Sequence, residues 1–143
     1  TSLAGATAVQ GASAGLSSPA AKAVFRTLRA VADIVLVGAG TWRTEGYRPP
    51  RTSVDDQAWR RSTGRPAHPR IAVVSGRLDL DLSRPFFTDT PTRPLVITTG
   101  SSDAQRRSAL AEVADVIVAG DTTLDIGHAL TQLGETGARV VLC

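Results

Sequence analysis

The sequence predicts a single α/β domain with a mainly parallel central sheet that carries helices on both faces. Two patterns indicate this fold class. Short β-branched runs, suited to strands buried on both faces, recur along the chain. Between them lie stretches with apolar residues three and four positions apart, as in amphipathic helices. Strands that alternate with helices pair in parallel, and 143 residues with 42% apolar content suffice for one domain, residues 1–143.

The first predicted elements follow a glycine-rich opening that allows at most a short strand over residues 6–9. The Ser-Ser-Pro sequence at 17–19 supplies a cap and a first-turn proline for a helix. The β-branched run at 34–37 predicts a buried strand that ends at Gly38. The apolar stripe of the helix, predicted to face the core, consists of positions 21, 24, 25, 28, 31 and 32.

Later elements continue the alternation of strands and helices. The Ser-Ser-Asp sequence at 101–103 caps one helix, two threonines at 122–123 open another, and Gly137 ends it. The inner faces of these two helices are predicted at Leu110, Val113 and Ala114, and at Ile126, Ala129, Leu130 and Leu133. Further strands are predicted at 71–74, 95–98, 116–119 and 140–142.

A polar segment rich in arginine and proline interrupts this pattern at residues 48–70. A short helix is compatible with residues 54–61, but the rest has little periodicity. The segment is too long for a simple connection, and loops of this length usually serve as lids or binding segments. We therefore predict a long loop or lid over 48–70.

Composition narrows the classes of function. The net charge of +3 and the low aromatic content of 4% give weak support for nucleic-acid binding. Arginine also binds phosphate groups through paired hydrogen bonds, so a phosphorylated small molecule is an equally natural partner. No apolar run approaches the roughly 20 residues of a membrane span, and no secretion signal is evident, so we expect a cytoplasmic protein. With one cysteine and two separated histidines, we expect no metal site.

A glycine turn follows the first buried strand as Gly38-Ala39-Gly40-Thr41. The dinucleotide fingerprint needs a third glycine where this chain has Arg43, so the turn alone is weak evidence for nucleotide binding. Its position strengthens that evidence, because ligands of open parallel sheets bind beyond the carboxyl ends of the strands. We expect the turn, residues 75–76 and residues 98–100 to face one cleft.

Several motifs then follow one another in a fixed order. They are a Ser-Leu-x-Gly opening, Gly-x-Ser before the Ser-Pro cap, Leu28-Arg29 with Asp33 near the helix end, Val-Gly-x-Gly-Thr, and Glu45-Gly46-Tyr47. The strings at 75–79 and 137–143 also fit. This order resembles the RibD C-terminal reductase domain, the pyrimidine reductase of bacterial riboflavin biosynthesis, which is similar in fold to dihydrofolate reductase.

The resemblance implies that NADPH reduces the ribosyl group of a phosphorylated 5-amino-6-ribosylaminouracil to a ribityl chain. It implies substrate contacts from Ser13 and Arg29, and a homodimer. The cofactor contacts that it implies are Gly38, Gly40, Thr41, Glu45, Gly46 and Ser75. Two alternatives stay open: a pterin reductase like dihydrofolate reductase, and a degenerate nucleotide-binding domain without activity.

The sequence departs from the family pattern in two places. Ala4 stands where the family carries an aspartate, so no catalytic residue is assigned. The chain also stops at Cys143, before a Glu-Gly-Gly-Pro turn that holds the cofactor phosphates in the family. We therefore expect a fragment that is incomplete at its C-terminus, with a sheet edge that favours self-association.

Overall fold

The computed structural model describes residues 18–143; the strand expected at 6–9 lies outside this range. The chain alternates between helices and strands after the first helix, in agreement with the sequence pattern. The elements are α1 Pro19–Val31, β1 Ile34–Gly38, α2 Ala39–Glu45, α3 Val54–Ser62, β2 Arg70–Val74, α4 Pro85–Thr88, β3 Leu95–Thr98, α5 Ala104–Ala111, β4 Asp115–Val118, α6 Ile126–Glu135 and β5 Val141–Leu142.

The described strands form one five-stranded sheet in the order β4-β3-β2-β1-β5. All four strand pairs are parallel, which confirms the predicted sheet type. The first four strands follow one another outward from β1, whereas β5 returns to the opposite side of β1. The strand order therefore reverses between β1 and β5, and all carboxyl ends lie at one edge of the sheet.

The two faces of the sheet bury separate apolar clusters. Alternation along β2 shows the division: Ile71 and Val73 belong to one cluster and Ala72 to the other. The first cluster includes Trp42 of α2 and Leu110 of α5. The second includes Ala129 and Leu133 of α6. Helices cover both faces, as the sequence predicts, because each strand presents apolar side chains to both sides.

The predicted helix caps and inner faces are partly confirmed. Ser18 caps α1, with its hydroxyl oxygen accepting a hydrogen bond from the Ala21 N–H at 3.1 Å, and Pro19 occupies the first turn. The cap of α6 is Asp125, so the predicted opening at residues 122–123 is wrong. Four residues predicted to face the core are exposed instead: Val24, Leu28, Ile126 and Leu130. Phe25, also predicted to face the core, is half exposed, at 50%.

Segment 48–70 contains α3 and is tied to the end of α1. Arg60 of α3 is fully buried, and its Nη1 atom donates to the carbonyl oxygens of Ala30 at 2.7 Å and Ala32 at 2.6 Å. Its Nε atom donates to the Pro66 carbonyl at 2.7 Å. The last carbonyls of a helix have no partner within the helix, so Arg60 serves as a cap for α1.

Candidate functional site

A crevice lies beside β1 and β5, where the strand order reverses. Such reversal points are the usual ligand sites of open parallel sheets. The crevice has two adjoining cavities, of about 240 Å³ and about 610 Å³. The smaller, here called the inner lobe, is lined by β1 from Val35 to Gly38 and by Leu142 and Cys143.

The larger cavity, here called the outer lobe, is lined by Lys22 of α1, by Glu45 and Gly46 at the end of α2, and by residues 48–51. Residues common to both lobes define their junction: Phe25, Arg29, Thr41 and Tyr47. The start of segment 48–70 thus forms a wall of the crevice. Its role as a lid or binding segment stays a prediction.

Helical spacing explains which part of α1 faces the crevice. Lys22, Phe25 and Arg29 are three and four residues apart, so they lie on one side of the helix. This arrangement corrects the prediction that the apolar stripe of α1 packs only on the core. Phe25 is half exposed because it lines the site beside Arg29.

The predicted glycine turn is a direct junction of strand and helix. Gly38 ends β1 and caps α2, while Gly40 lies within α2. Gly46 ends α2 in the left-handed conformation, with φ 58° and ψ 42°. A Cβ atom added at any of these three glycines would meet nothing within 4 Å, so the space above their backbone is open.

Arg29 and Tyr47 meet at the junction of the lobes. The Nη2 atom of Arg29 donates to the Tyr47 hydroxyl oxygen at 3.2 Å. The guanidinium carbon lies 5.9 Å from the centre of the Tyr47 ring, within the range of a cation–π contact. The described lining of the outer lobe carries the cations Lys22, Arg29, Arg48 and Arg51 against one carboxylate, Glu45, and therefore favours an anionic ligand.

Asp33 holds β5 in place beside β1. Its Oδ2 atom accepts hydrogen bonds from the N–H groups of Arg139 at 2.8 Å and Val140 at 2.9 Å, and its Oδ1 atom accepts from Arg65 at 2.9 Å. Burial alone would raise the pKa of Asp33, but these N–H donors and the Arg65 charge outweigh it and lower the pKa. The turn after α1 is thereby fixed to the strand that borders the inner lobe.

The crevice brings together some of the residues expected from the sequence and leaves others apart. Arg29, Gly38, Thr41, Glu45 and Gly46 line it. Gly40, on α2 between Gly38 and Thr41, is not among the lining residues. Ala4 and Ser13 lie outside the described residues.

Ser75 follows β2 but does not line either lobe. It is buried, and its hydroxyl oxygen accepts a hydrogen bond from the Leu78 N–H at 3.0 Å. Leu78 has a positive φ of 53°, so Ser75 stabilises a tight turn after the strand. The expectation that residues 75–76 and 98–100 share a cleft with the glycine turn is not met in these two lobes, because β5 rather than β2 or β3 borders them. The cofactor role of Ser75 stays a prediction.

Sequence reasoning missed several lining residues, among them Phe25, Tyr47, Arg48 and Arg51. Tyr47 had a usable signal, since it directly follows the Glu45-Gly46 pair and is the one tyrosine of the chain. Among residues 18–143, no group of three or more His, Cys, Asp or Glu side chains could hold a metal ion. No helix in that same range is long and apolar enough to cross a membrane.

Comparison with known proteins places the chain in a family. The sequence matches the RibD C-terminal domain over residues 1–143, and the chain belongs to that family. Its fold is similar to the crystal structure of a pyrimidine reductase-like protein from Corynebacterium diphtheriae, with a TM-score of 0.86 and 29% sequence identity. The similarity covers 99% of this chain but 61% of that one. No curated protein matches the sequence.

Proposed function

We propose that the protein is an NADPH-dependent reductase that transfers a hydride to the ribosyl group of a phosphorylated 5-amino-6-ribosylaminouracil. Membership of the RibD C-terminal domain family supports the reaction class. The observation that carries the proposal is the junction of the two lobes, where Thr41, expected to bind cofactor, and Arg29, expected to bind substrate, line the same space. A hydride donor and its acceptor must lie in contact.

The residues of the crevice suit a dinucleotide. Open space above Gly38, Gly40 and Gly46 leaves room for a ligand against the backbone, which any larger side chain would fill. Gly38, Thr41, Glu45 and Gly46 line the crevice and would hold NADPH. Gly40 and Ser75 are proposed as cofactor contacts from the family resemblance alone. The cofactor supplies the hydride when bound, while the protein supplies binding, orientation and electrostatics.

The outer lobe suits a phosphorylated acceptor. The guanidinium of Arg29 presents paired donors to a phosphate, and such charge-assisted bonds are about twice as strong as neutral ones. Lys22 and Arg48 add positive charge to the same lobe. Arg51 is partly neutralised by an exposed ion pair with Asp89 at 2.7 Å, so it contributes less. Ser13 is proposed as a further substrate contact.

A second candidate is a nucleotide-binding domain without catalytic activity. Ala4 replaces the carboxylate that the family carries, and Glu45 is the one acidic residue in the described lining of the crevice. A pterin reductase is a third candidate, since a pterin is a flat heterocycle like the uracil ring, but its own ring rather than a ribosyl group would accept the hydride. The three differ in whether NADPH is oxidised and by which acceptor.

We also propose that the protein acts in the cytoplasm as a homodimer. The exposed free thiol of Cys143 suits a reducing compartment. The resemblance to RibD C-terminal reductases, which implies a homodimer, supports pairing with a second chain. A light-scattering mass of two chains would support the dimer, and a mass of one chain at high concentration would contradict it.

The cofactor site is tested by replacing Thr41 with valine in the full-length protein. Loss of one neutral hydrogen bond, of about 1 kcal/mol, predicts a roughly fivefold weaker affinity for NADPH by fluorescence titration. Thr44→Val is the matched control, because Thr44 is exposed on the same helix and its hydroxyl donates to the Gly40 carbonyl at 3.0 Å. If the unmodified protein does not bind NADPH, the proposed reductase function is wrong. If Thr41→Val and Thr44→Val bind NADPH with equal affinity, the proposed contact of Thr41 with the cofactor is wrong.

A further inference from the structure

Tyr47 occupies a fixed position at the junction of the lobes. Its backbone N–H donates to the Trp42 carbonyl at 3.3 Å, directly after the left-handed residue Gly46 that ends α2. Its ring packs against the apolar cluster that contains Trp42, and the side chain is half-buried. The hydroxyl group is therefore held at one place at the edge of both cavities.

Arg29 has no such restraint from its own helix. It lies on the exposed side of α1, where a long side chain has many rotamers and loses conformational entropy when one is selected. Tyr47 makes two contacts with it, the 3.2 Å hydrogen bond to the hydroxyl and the 5.9 Å approach to the ring. Both contacts come from a residue whose backbone is anchored.

We infer that Tyr47 is a positioning residue whose hydroxyl holds the Arg29 guanidinium at the junction, ready for the phosphate of the substrate. The inference rests on the proposed function. The bond to Tyr47 uses one of the five N–H donors of Arg29, and within residues 18–143 the other four remain for a phosphate. A side chain that is ordered before binding loses less entropy on binding, which increases affinity.

Tyr47→Phe tests the inference because it removes the hydroxyl and keeps the ring that packs on the core. Binding of 5-amino-6-(5-phosphoribitylamino)uracil, the expected product, is measured by calorimetry beside its dephosphorylated form, using the full-length protein. We expect the affinity of Tyr47→Phe for the phosphorylated ligand to fall three- to tenfold. The affinities for the dephosphorylated ligand and for NADPH should stay within twofold.

A double-mutant cycle separates positioning from direct contact. In an Arg29→Ala background, where the guanidinium is absent, Tyr47→Phe should change the affinity for the phosphorylated ligand less than twofold. In steady-state assays KM for the phosphorylated substrate should rise while kcat stays within twofold. The melting temperature of Tyr47→Phe should match that of the unmodified protein, since packing is retained.

The outcomes that overturn the inference differ from the failure of the proposed function. Unchanged affinity of Tyr47→Phe for the phosphorylated ligand would show that the hydroxyl does not position Arg29. Equal losses for both ligands, or the same loss in the Arg29→Ala background, would show that Tyr47 contacts the ligand itself. An unmodified protein that does not distinguish the two ligands would reject the phosphate site, and both proposals with it.

Discussion

Replacing Arg60 with methionine is expected to lower the free energy of unfolding by about 2–4 kcal/mol. Methionine keeps an apolar stem of similar length in the interior and removes the guanidinium. Three carbonyl oxygens, of Ala30, Ala32 and Pro66, then lose their donors. The perturbation acts on the contact that ties α3 to the end of α1, beside Arg29.

The size of the effect follows from the geometry. Hydrogen bonds from a charged donor contribute about 1.5–3 kcal/mol each. The cost of burying the guanidinium offsets part of this sum, and its Nη2 atom has no partner among the described residues. Burial also lowers the pKa of Arg60 from its ordinary value, the direction expected when a cation is desolvated.

Urea denaturation followed by circular dichroism measures the change. Arg61→Met is the matched control: Arg61 neighbours Arg60 on α3 but is exposed, so its loss should stay within about 0.5 kcal/mol. Arg60→Lys should recover only part of the stability, because one ammonium group cannot reach three carbonyls with the geometry of a guanidinium. Equal unfolding free energies for Arg60→Met and Arg61→Met would refute the account of the α1–α3 contact.

Three further changes have defined outcomes. Gly46→Val should lower the free energy of unfolding in urea by about 1–2 kcal/mol, because Gly46 has a left-handed backbone with φ 58°. Gly46→Asn should lower it less, because asparagine tolerates this conformation better. Equal losses for the two variants would contradict this explanation. Burial and then the charge of Arg51 lower the pKa of His68 below 6.5, so its contribution to stability is present above about pH 6.5 and declines as pH falls. The urea midpoint of the unmodified protein should therefore fall more between about pH 7.5 and about pH 5.5 than the midpoint of His68→Gln, because histidine titrates in this range. Ala4→Asp should raise NADPH-dependent turnover by about a hundred- to ten-thousand-fold with unchanged cofactor affinity; a change in affinity alone would contradict the placement of Ala4.

The sheet was predictable because its signal is local. Each strand is a short apolar run, and the predicted strand at 95–98 matches β3. The strands predicted at 34–37, 71–74 and 140–142 differ from β1, β2 and β5 by one residue at one end, and the strand predicted at 116–119 is shifted by one residue from β4. Helix caps were predictable where a side chain directly precedes the helix, as at Ser18 and Asp103. The cap of α6 was missed because the threonines at 122–123 have the same chemistry as a true cap.

Burial of the helix faces was less predictable. Hydrophobic spacing shows which residues share a side of a helix, but not what that side contacts. The same face of α1 that reads as an apolar stripe carries Phe25 with Lys22 and Arg29 into the crevice. The Nδ1 atom of His68 accepts the Thr52 N–H at 3.1 Å, a contact between distant residues of segment 48–70 that spacing alone does not predict.

The candidate site was predictable only in part. The resemblance implies a substrate contact from Arg29 and cofactor contacts from Thr41 and Glu45, and the structure brings all three to one crevice. Their roles stay predictions. The spacing of residues in the sequence could not predict that β5 pairs with β1, since the two strands are about a hundred residues apart in the chain. That pairing moves the crevice away from Ser75 and creates the inner lobe.

The most direct test of the proposed function is the loss of NADPH absorbance when the full-length protein is mixed with NADPH and the phosphorylated ribosylaminouracil. The account predicts acceptor-dependent oxidation that falls strongly when the acceptor lacks its phosphate and when Arg29 is replaced by alanine. Oxidation of NADPH at the same rate with both acceptors, or none with either despite measurable NADPH binding, would contradict it.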